Sequence, residues 1–337
     1  MAAKRKRRRR VGAGGIILGL LFALVLGAAA VAGAWWWGGN QPAPADLREA
    51  RAVDAVELDL YQAGEPVTGQ APVPAPVPEV TDTESVSSGV TASDGYTYAE
   101  IIAEEDGLIV ARVQGKRYKG FAAVIQDPLR LYVATCPYFG EGAYGRTVIQ
   151  LADEHDAILA INGGGFKDDG GVGTGGTPIG NVVVDGVMRW AGGGSTVGMD
   201  YDGKLHAGEF SGNDCRDMGL YWAVAYGPTL IENGTVRSGL DNSQAEPRTA
   251  VGQRADGSVV LLNIQGRQAS ALGVTCRQLA YIMADLGCVD AGNLDGGASS
   301  DMYYRGETLN IANTSGGPRP IPTAVLVGPV RTEEGEG

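Results

Sequence analysis

Residues 246–304 constrain this chain more than any other stretch, because a strand, a helix, a second strand and a polar loop follow one another there with few residues between them. The run Val259-Val260-Leu261-Leu262-Asn263-Ile264 has the length and continuous apolar character of a buried strand. Gln265-Gly266-Arg267 closes it with a turn and a cation. Thr275 then caps a helix, with Gln278 at the third helical position completing a capping box. Leu279, Ile282, Met283 and Leu286 recur at helical spacing, and Gly287 suits the carboxy-terminal stop. The chain re-enters an extended segment and breaks at Asn293-Leu294-Asp295-Gly296-Gly297-Ala298-Ser299-Ser300, before Met302-Tyr303-Tyr304. An arginine, an aspartate and two hydroxyls are thereby delivered to the ends of packed elements.

Two readings of that loop compete. Asp-Gly and Gly-Gly are common turn dipeptides, so a hairpin or bulge turn accounts for them. Glycines also let backbone N–H groups approach an anion closely, while Asp295, Ser299 and Ser300 supply charge and hydroxyls. Arg248 and Arg267 flank the neighbouring strands, which favours the second reading.

Upstream, Leu108–Val113, Phe121–Gln126 and Leu129–Thr135 read as strands around Asp127-Pro128, Thr147–His155 as a helix, and 157–161 as a buried strand. Asn162 then opens a loop with nine glycines between residues 163 and 180. That loop is either a flexible connection or, placed straight after a buried strand beside Asn162 and Phe166, a ligand-facing one. Within it, Asp168 and Asp169 suggest either a cation site or a solvated acidic turn. Val182–Val184 with Asp185-Gly186 reads as a hairpin, as do Leu230-Ile231 and Val236 around Asn233-Gly234; both are scaffold. Strands outnumber helices, which predicts an α+β domain built on a mixed β-sheet with a few helices.

The sequence from 246 to 327 resembles the carboxy-terminal half of the phosphodiester glycosidase domain. The matching pieces are Pro247-Arg248-Thr249-Ala250-Val251-Gly252, Gly266-Arg267, Gly273-Val274-Thr275 with Leu279-Ala280, the Asn293–Ser300 loop and Arg319-Pro320-Ile321-Pro322-Thr323-Ala324. Farther upstream, Ala160-Ile161-Asn162-Gly163-Gly164-Gly165-Phe166, Pro178-Ile179-Gly180 and Tyr226-Gly227-Pro228-Thr229-Leu230-Ile231 also fit, so the resemblance covers about residues 95–330. Ala298 stands where the family carries a third glycine, and Gln265 where an aspartate is common. The resemblance implies a hydrolase of sugar phosphodiesters that uses no cofactor.

The amino-terminal third has a different character. Seven cations at residues 4–10 sit against a net charge of −12, so the rest of the chain carries −19. An acidic body of that kind argues against nucleic acid as a partner. Residues 11–37 contain no charge, and that apolar run exceeds the ~20 residues needed to span a bilayer. With cations on one flank and Trp35-Trp36-Trp37 on the other, it predicts a single-pass transmembrane helix with residues 1–10 cytoplasmic and everything after residue 38 outside. A cleaved signal peptide ending near Ala28-Ala29-Ala30 or Ala32-Gly33-Ala34 is the rival reading; a basic arm for nucleic acid explains the charges less well. Residues 38–94 read as a stalk: a short helix over 46–61, then Pro66, Pro72, Pro74, Pro76 and Pro78 favouring extended backbone, then a polar stretch. The folded domain is expected over 95–332, with a tail at 333–337.

Several chemistries lack their residues. His155 and His206 are the only histidines and neither sits in a motif, which disfavours a histidine-rich zinc site or a Ser-His-Asp triad. No Gly-x-Ser-x-Gly elbow and no P-loop occur. Cys136, Cys215, Cys276 and Cys288 lack a CxxC spacing; export permits disulfides, most readily through Cys136 or Cys215, and buried thiols are the alternative. No metal site is expected.

Breaking the anomeric C–O bond of a sugar 1-phosphodiester passes through an oxocarbenium-like state and releases an already stabilised phosphate anion. The work is then to clamp phosphate charge and to balance positive charge on the sugar. Arg248, and after it Arg267, suit the phosphate by bidentate hydrogen bonding. Asp295 is the expected catalytic carboxylate, as base, nucleophile or electrostatic partner. Asn162, Ser299, Ser300 and the backbone at Gly296 and Gly297 are the expected substrate contacts. Alternatively, Asp295 caps local N–H groups and Arg248 is its buried ion-pair partner. Two other functions compete with hydrolysis: a non-catalytic polysaccharide-binding module of the cell envelope, and a metal-dependent phosphodiesterase cutting P–O.

Overall fold

Strands dominate the computed structural model, which describes residues 90–91, 97–115, 117–168, 173–311 and 316–330, all lying within residues 66–337. The basic segment 1–10, the expected membrane span 11–37, the helix over 46–61, the proline-rich stretch, Asp169 and the tail 333–337 lie outside the described residues. Among the described residues no helix is long and apolar enough to cross a membrane.

In chain order, β1 (Val90–Thr91), β2 (Thr97–Glu105), β3 (Leu108–Gln114) and β4 (Lys119–Ile125) form a meander, followed by β5 (Leu131–Thr135), helix α1 (Val148–Glu154) and β6 (Leu159–Asn162). Then come β7 (Val182–Val184), β8 (Val187–Trp190), β9 (Ser195–Asp200), β10 (Leu205–Glu209), α2 (Gly212–Asp217) and β11 (Leu220–Ala225). A hairpin of β12 (Thr229–Glu232) and β13 (Thr235–Val236) precedes β14 (Arg248–Arg254), β15 (Val259–Gln265), α3 (Cys276–Asp285) and β16 (Cys288–Asn293). The last strands are β17 (Met302–Tyr304), β18 (Glu307–Thr308) and β19 (Thr323–Val327). They pair as three sheets, in the orders β1-β2-β3-β4-β15-β14-β16-β12-β13, β10-β9-β11-β7-β8 and β18-β17-β6-β19-β5.

Every ladder is antiparallel, which corrects the mixed sheet expected from sequence. The strand–helix–strand run over 259–293 does make a crossover, with β15 and β16 pointing the same way. β14 is inserted between them and pairs antiparallel with both. Among the described residues no parallel ladder survives that insertion. The described strands also begin earlier than expected: β1, inside the segment read as stalk, pairs with β2.

The inward faces of all three sheets share one core, with Val110, Ile125, Leu261, Leu159, Val325, Met199 and Trp222 at its centre. Alternation along β19 shows how: Val325 and Val327 enter that core, while Ala324 and Leu326 turn outward onto α1 through Leu151 and Ala152. Helix α3 buries Leu279, Ala280, Ile282 and Met283. Its Thr275–Gln278 capping box and the left-handed Gly287 (φ 86°) stop it where the sequence predicts. The expected strand over Leu129–Thr135 starts later, because Pro128–Arg130 forms a 3₁₀ turn capped by the Asp127 side chain. All four cysteines are buried free thiols, the alternative to disulfides that the sequence left open.

This topology gathers loops at one end. Arg248 begins β14 opposite Ile264 near the end of β15, while Ala250 faces Asn293 at the end of β16. In the third sheet, Asn162 at the end of β6 faces Ala324 at the start of β19. In the second, β11 ends beside Thr196 at the start of β9 and leads directly into Tyr226. Strand ends from all three sheets therefore deliver their loops to one place.

Candidate active site

Asp295 leaves β16 just past Asn293. Its backbone N–H donates to Gly163 O at 3.1 Å, and the Asn162 side-chain amide donates to its carbonyl at 2.7 Å. Burial pushes its carboxyl up to about 6, against the Ser299 hydroxyl, the Gly296 N–H and the Arg319 charge, which favour the ionised form; Asp168 adds to the rise. The side chain nevertheless keeps partial access to solvent. It is a carboxylate poised near neutrality, with a hydroxyl and an N–H to receive its charge.

Arg248 extends from the start of β14 over the same loop: a Cβ on Gly296 would lie 3.7 Å from its Cδ. Its Nε donates to Val274 O at 3.3 Å and its Nη2 to Gln244 O at 3.4 Å. Among the described residues it has no ion-pair partner, so its charge is not neutralised by a neighbouring acid. The positive end of α3 begins one residue beyond Val274 and adds to it. Arg248 is thus not the buried ion-pair partner of Asp295 that the structural alternative required.

Tyr226 ties the two together. It is half-exposed, yet partial desolvation raises its phenol, Asp295 raises it further and Arg248 lowers it, so both charges act on one ring. The ring lies across Gly165, where a Cβ would come within 2.0 Å of its Cδ2. Only glycine permits that stacking. On the other flank Arg319 donates to Asp168 at 2.6 Å and lies 5.0 Å over the Phe166 ring, held from two sides with its charge reaching Asp295. Asp168 also accepts from Gly173 N at 2.8 Å. Asp168 is thus engaged in an ion pair and is not a simply solvated acid; among the described residues no group of three or more metal-binding side chains occurs.

Other expected contacts have different work. Asn162 is buried, and its oxygen accepts from the Thr249 hydroxyl at 2.7 Å and the Asp301 N–H at 3.1 Å. With its amide on Asp295 O, it clamps sheet ends together instead of facing substrate. Gly297 N–H is taken by Pro247 O at 2.8 Å, and Gly296 N–H donates to Asp295 Oδ1 at 2.9 Å, so neither is free to cradle an anion. A Cβ on Gly296 would sit 2.9 Å from Pro247 O, and Gly297 is left-handed (φ 60°). The glycine-only conformation thus falls one residue before Ala298, and the family's third glycine is dispensable here. Ser299 serves Asp295 directly, whereas Ser300 is buried in the turn that follows. Arg267, itself left-handed (φ 58°), is held by Glu246 at 2.8 Å and lies over Gly297. The sequence reading missed Tyr226, Arg319 and Glu246. Tyr226 carried one signal, an aromatic set between a buried strand and a Gly-Pro turn.

A largely buried carboxylate and a guanidinium with no ion-pair partner among the described residues are groups suited to glycosyl and phosphoryl chemistry. Residues 155–328, just over half of the sequence, match the phosphodiester glycosidase family, and the chain belongs to it. An SPβ prophage-derived protein of Bacillus subtilis strain 168 is 28% identical over 255 residues, 68% of this chain and 38% of that protein. The N-acetylglucosamine-1-phosphodiester alpha-N-acetylglucosaminidases of mouse and human are each 26% identical, covering 58% of this chain and 42% of theirs. The chain therefore spans about two fifths of the length of these relatives. In fold, it superposes on the catalytic domain of the zebrafish enzyme of that name, auto-inhibited by its pro-peptide, with a TM-score of 0.56 at 22% identity, over 70% of this chain and 88% of that one. A hypothetical protein from Synechocystis gives 0.54 at 15% identity, over 66% and 62%.

Proposed function

We propose that this chain hydrolyses the anomeric C–O bond of a sugar 1-phosphodiester. The observation that carries the reading is the position of Arg248 against the backbone next to Asp295, where a Cβ on Gly296 would lie 3.7 Å from its Cδ, with no ion pair between the two among the described residues. Arg248, with the positive end of α3 behind it, holds the phosphate and stabilises the charge it gains as the C–O bond breaks. Asp295, ionised above about pH 6, faces the positive charge that develops on the sugar. Arg319, fixed by Asp168 and Phe166, keeps Asp295 from rising further. Names of the relatives support the same chemistry, since the vertebrate enzymes are called phosphodiester glucosaminidases.

The reading also places the domain outside the cell. Cations at 4–10 followed by an uncharged stretch at 11–37 support a single-pass anchor with a cytoplasmic amino terminus, and the residues between that stretch and β1 would supply reach through an envelope. An extracytoplasmic, membrane-anchored hydrolase of this kind would serve cell-envelope or exopolysaccharide metabolism. The test is direct. Detergent-solubilised full chain is incubated with sugar 1-phosphodiesters and free reducing sugar is assayed, alongside the Arg248→Ala and Asp295→Asn variants. Release by the parent and loss in both variants is expected; saccharide binding with no release from any phosphodiester would make the chain a binding module.

A further inference from the structure

A groove of about 810 Å³ runs along the outside of the molecule between β10 and the β12–β13 hairpin, and no role has yet been given to it. Both of its walls lead to the site. On one side Pro228 lines the groove two residues after Tyr226. On the other Asp241 lines it three residues before Gln244, whose carbonyl accepts from Arg248 at 3.4 Å. The groove is thus bordered by the same segments that carry Tyr226 and anchor Arg248.

Its chemistry narrows what fits. Lys204 and Arg237 face it together with Glu209, Glu232, Asp241 and Asp290, so acids outnumber cations four to two, and Arg237 is already paired with Glu232 at 2.5 Å. Polyanions are disfavoured there. The wall also carries an aromatic ring: Phe210 is partly buried against a hydrophobic cluster, and its Cε1–Cζ edge lies against Gly208 at the end of β10, where a Cβ would come within 2.8 Å of both carbons. A partly exposed ring beside closely spaced donors and acceptors matches a hydroxyl-rich ligand with apolar C–H faces.

We infer that this groove binds the neutral oligosaccharide portion of the substrate, beyond the phosphodiester held at Arg248. The inference rests on the hydrolase reading only for which bond of the bound molecule is cut. The experiment is calorimetric titration of the detergent-solubilised full chain with neutral hexasaccharides (cellohexaose, maltohexaose, chitohexaose) and with the uronate hexagalacturonate. Saturable binding of at least one neutral hexasaccharide is expected, with none of the uronate. Two variants localise it: Ser238→Trp, which fills the groove from an exposed loop position, and Phe210→Ala, which removes the ring. Either should weaken binding by about tenfold or more. Failure of every neutral hexasaccharide to bind, equal binding of the uronate, or unchanged affinity in whichever variant folds overturns the inference. Binding that passes these tests in a protein that releases no sugar would remove the hydrolase reading and keep the groove. Sugar release without oligosaccharide binding would do the opposite.

Discussion

The loop that follows β16 holds a carboxylate at each end, and they make an instructive pair. Asp295 and Asp301 are both pushed up to about 6, in each case chiefly by burial. Their surroundings differ. Asp295 has a hydroxyl, an N–H and a nearby guanidinium, and its charge acts on the Tyr226 ring. Asp301 is only 7% exposed and neither of its carboxyl oxygens makes a hydrogen bond among the described residues; the Met302 N–H donates instead to the Asn310 side chain at 2.7 Å. A raised pKa therefore reports burial; the neighbours decide whether there is chemistry.

The sharpest way to break that contrast is to neutralise each acid. Asp295→Asn should cut sugar release by about 10³-fold, the scale of a lost acid–base or nucleophilic group, while Asp301→Asn should leave release within a few-fold of the parent. Equal losses in a release assay would erase the distinction. Arg248→Ala should lower kcat/KM by about 10²-fold, as for loss of one group that stabilises developing charge. Arg267→Ala should do far less, because Arg267 is already held by Glu246.

Stability sharpens the comparison from the other side. An acid whose folded value lies above its ordinary 3.8 binds its proton more tightly in the native state, so its ionisation opposes folding. Stability should fall as pH rises from about 4 to about 6, by about 3 kcal/mol for each acid, and level off above. Either Asn variant should remove its share of that slope in denaturant titrations, and Asp295→Asn should melt at pH 7 no lower than the parent. Release should rise with pH through about 6, where Asp295 ionises in the folded protein, since it works ionised. A smaller effect is expected at the clamp: Asn162→Ala leaves the Asp301 N–H and the Asp295 carbonyl without their partner and should cost about 2 kcal/mol.

Much of this was legible in the chain and some was not, for physical reasons. The capping box at Thr275, the apolar run of β15 and the hairpin at Asn233-Gly234 are local signals, and each appears where local rules place it. Sheet type was not legible, because the insertion of β14 between β15 and β16 depends on pairing across long sequence separations. The gathering of Arg248, Asp295 and Asn162 at one end was anticipated, yet their division of labour was not. Asn162 looks identical in sequence whether it faces a ligand or spans two sheets. Arg319 escaped notice because its partner, Asp168, lies 151 positions away.

The bond that breaks is the most direct test of the account. Hydrolysis of a sugar 1-phosphodiester by the full chain in ¹⁸O-labelled water, read by mass spectrometry, should place the label on the anomeric hydroxyl of the released sugar, with phosphate unlabelled. Label in the phosphate would mean that P–O is cut, and would contradict the roles given to Arg248 and Asp295.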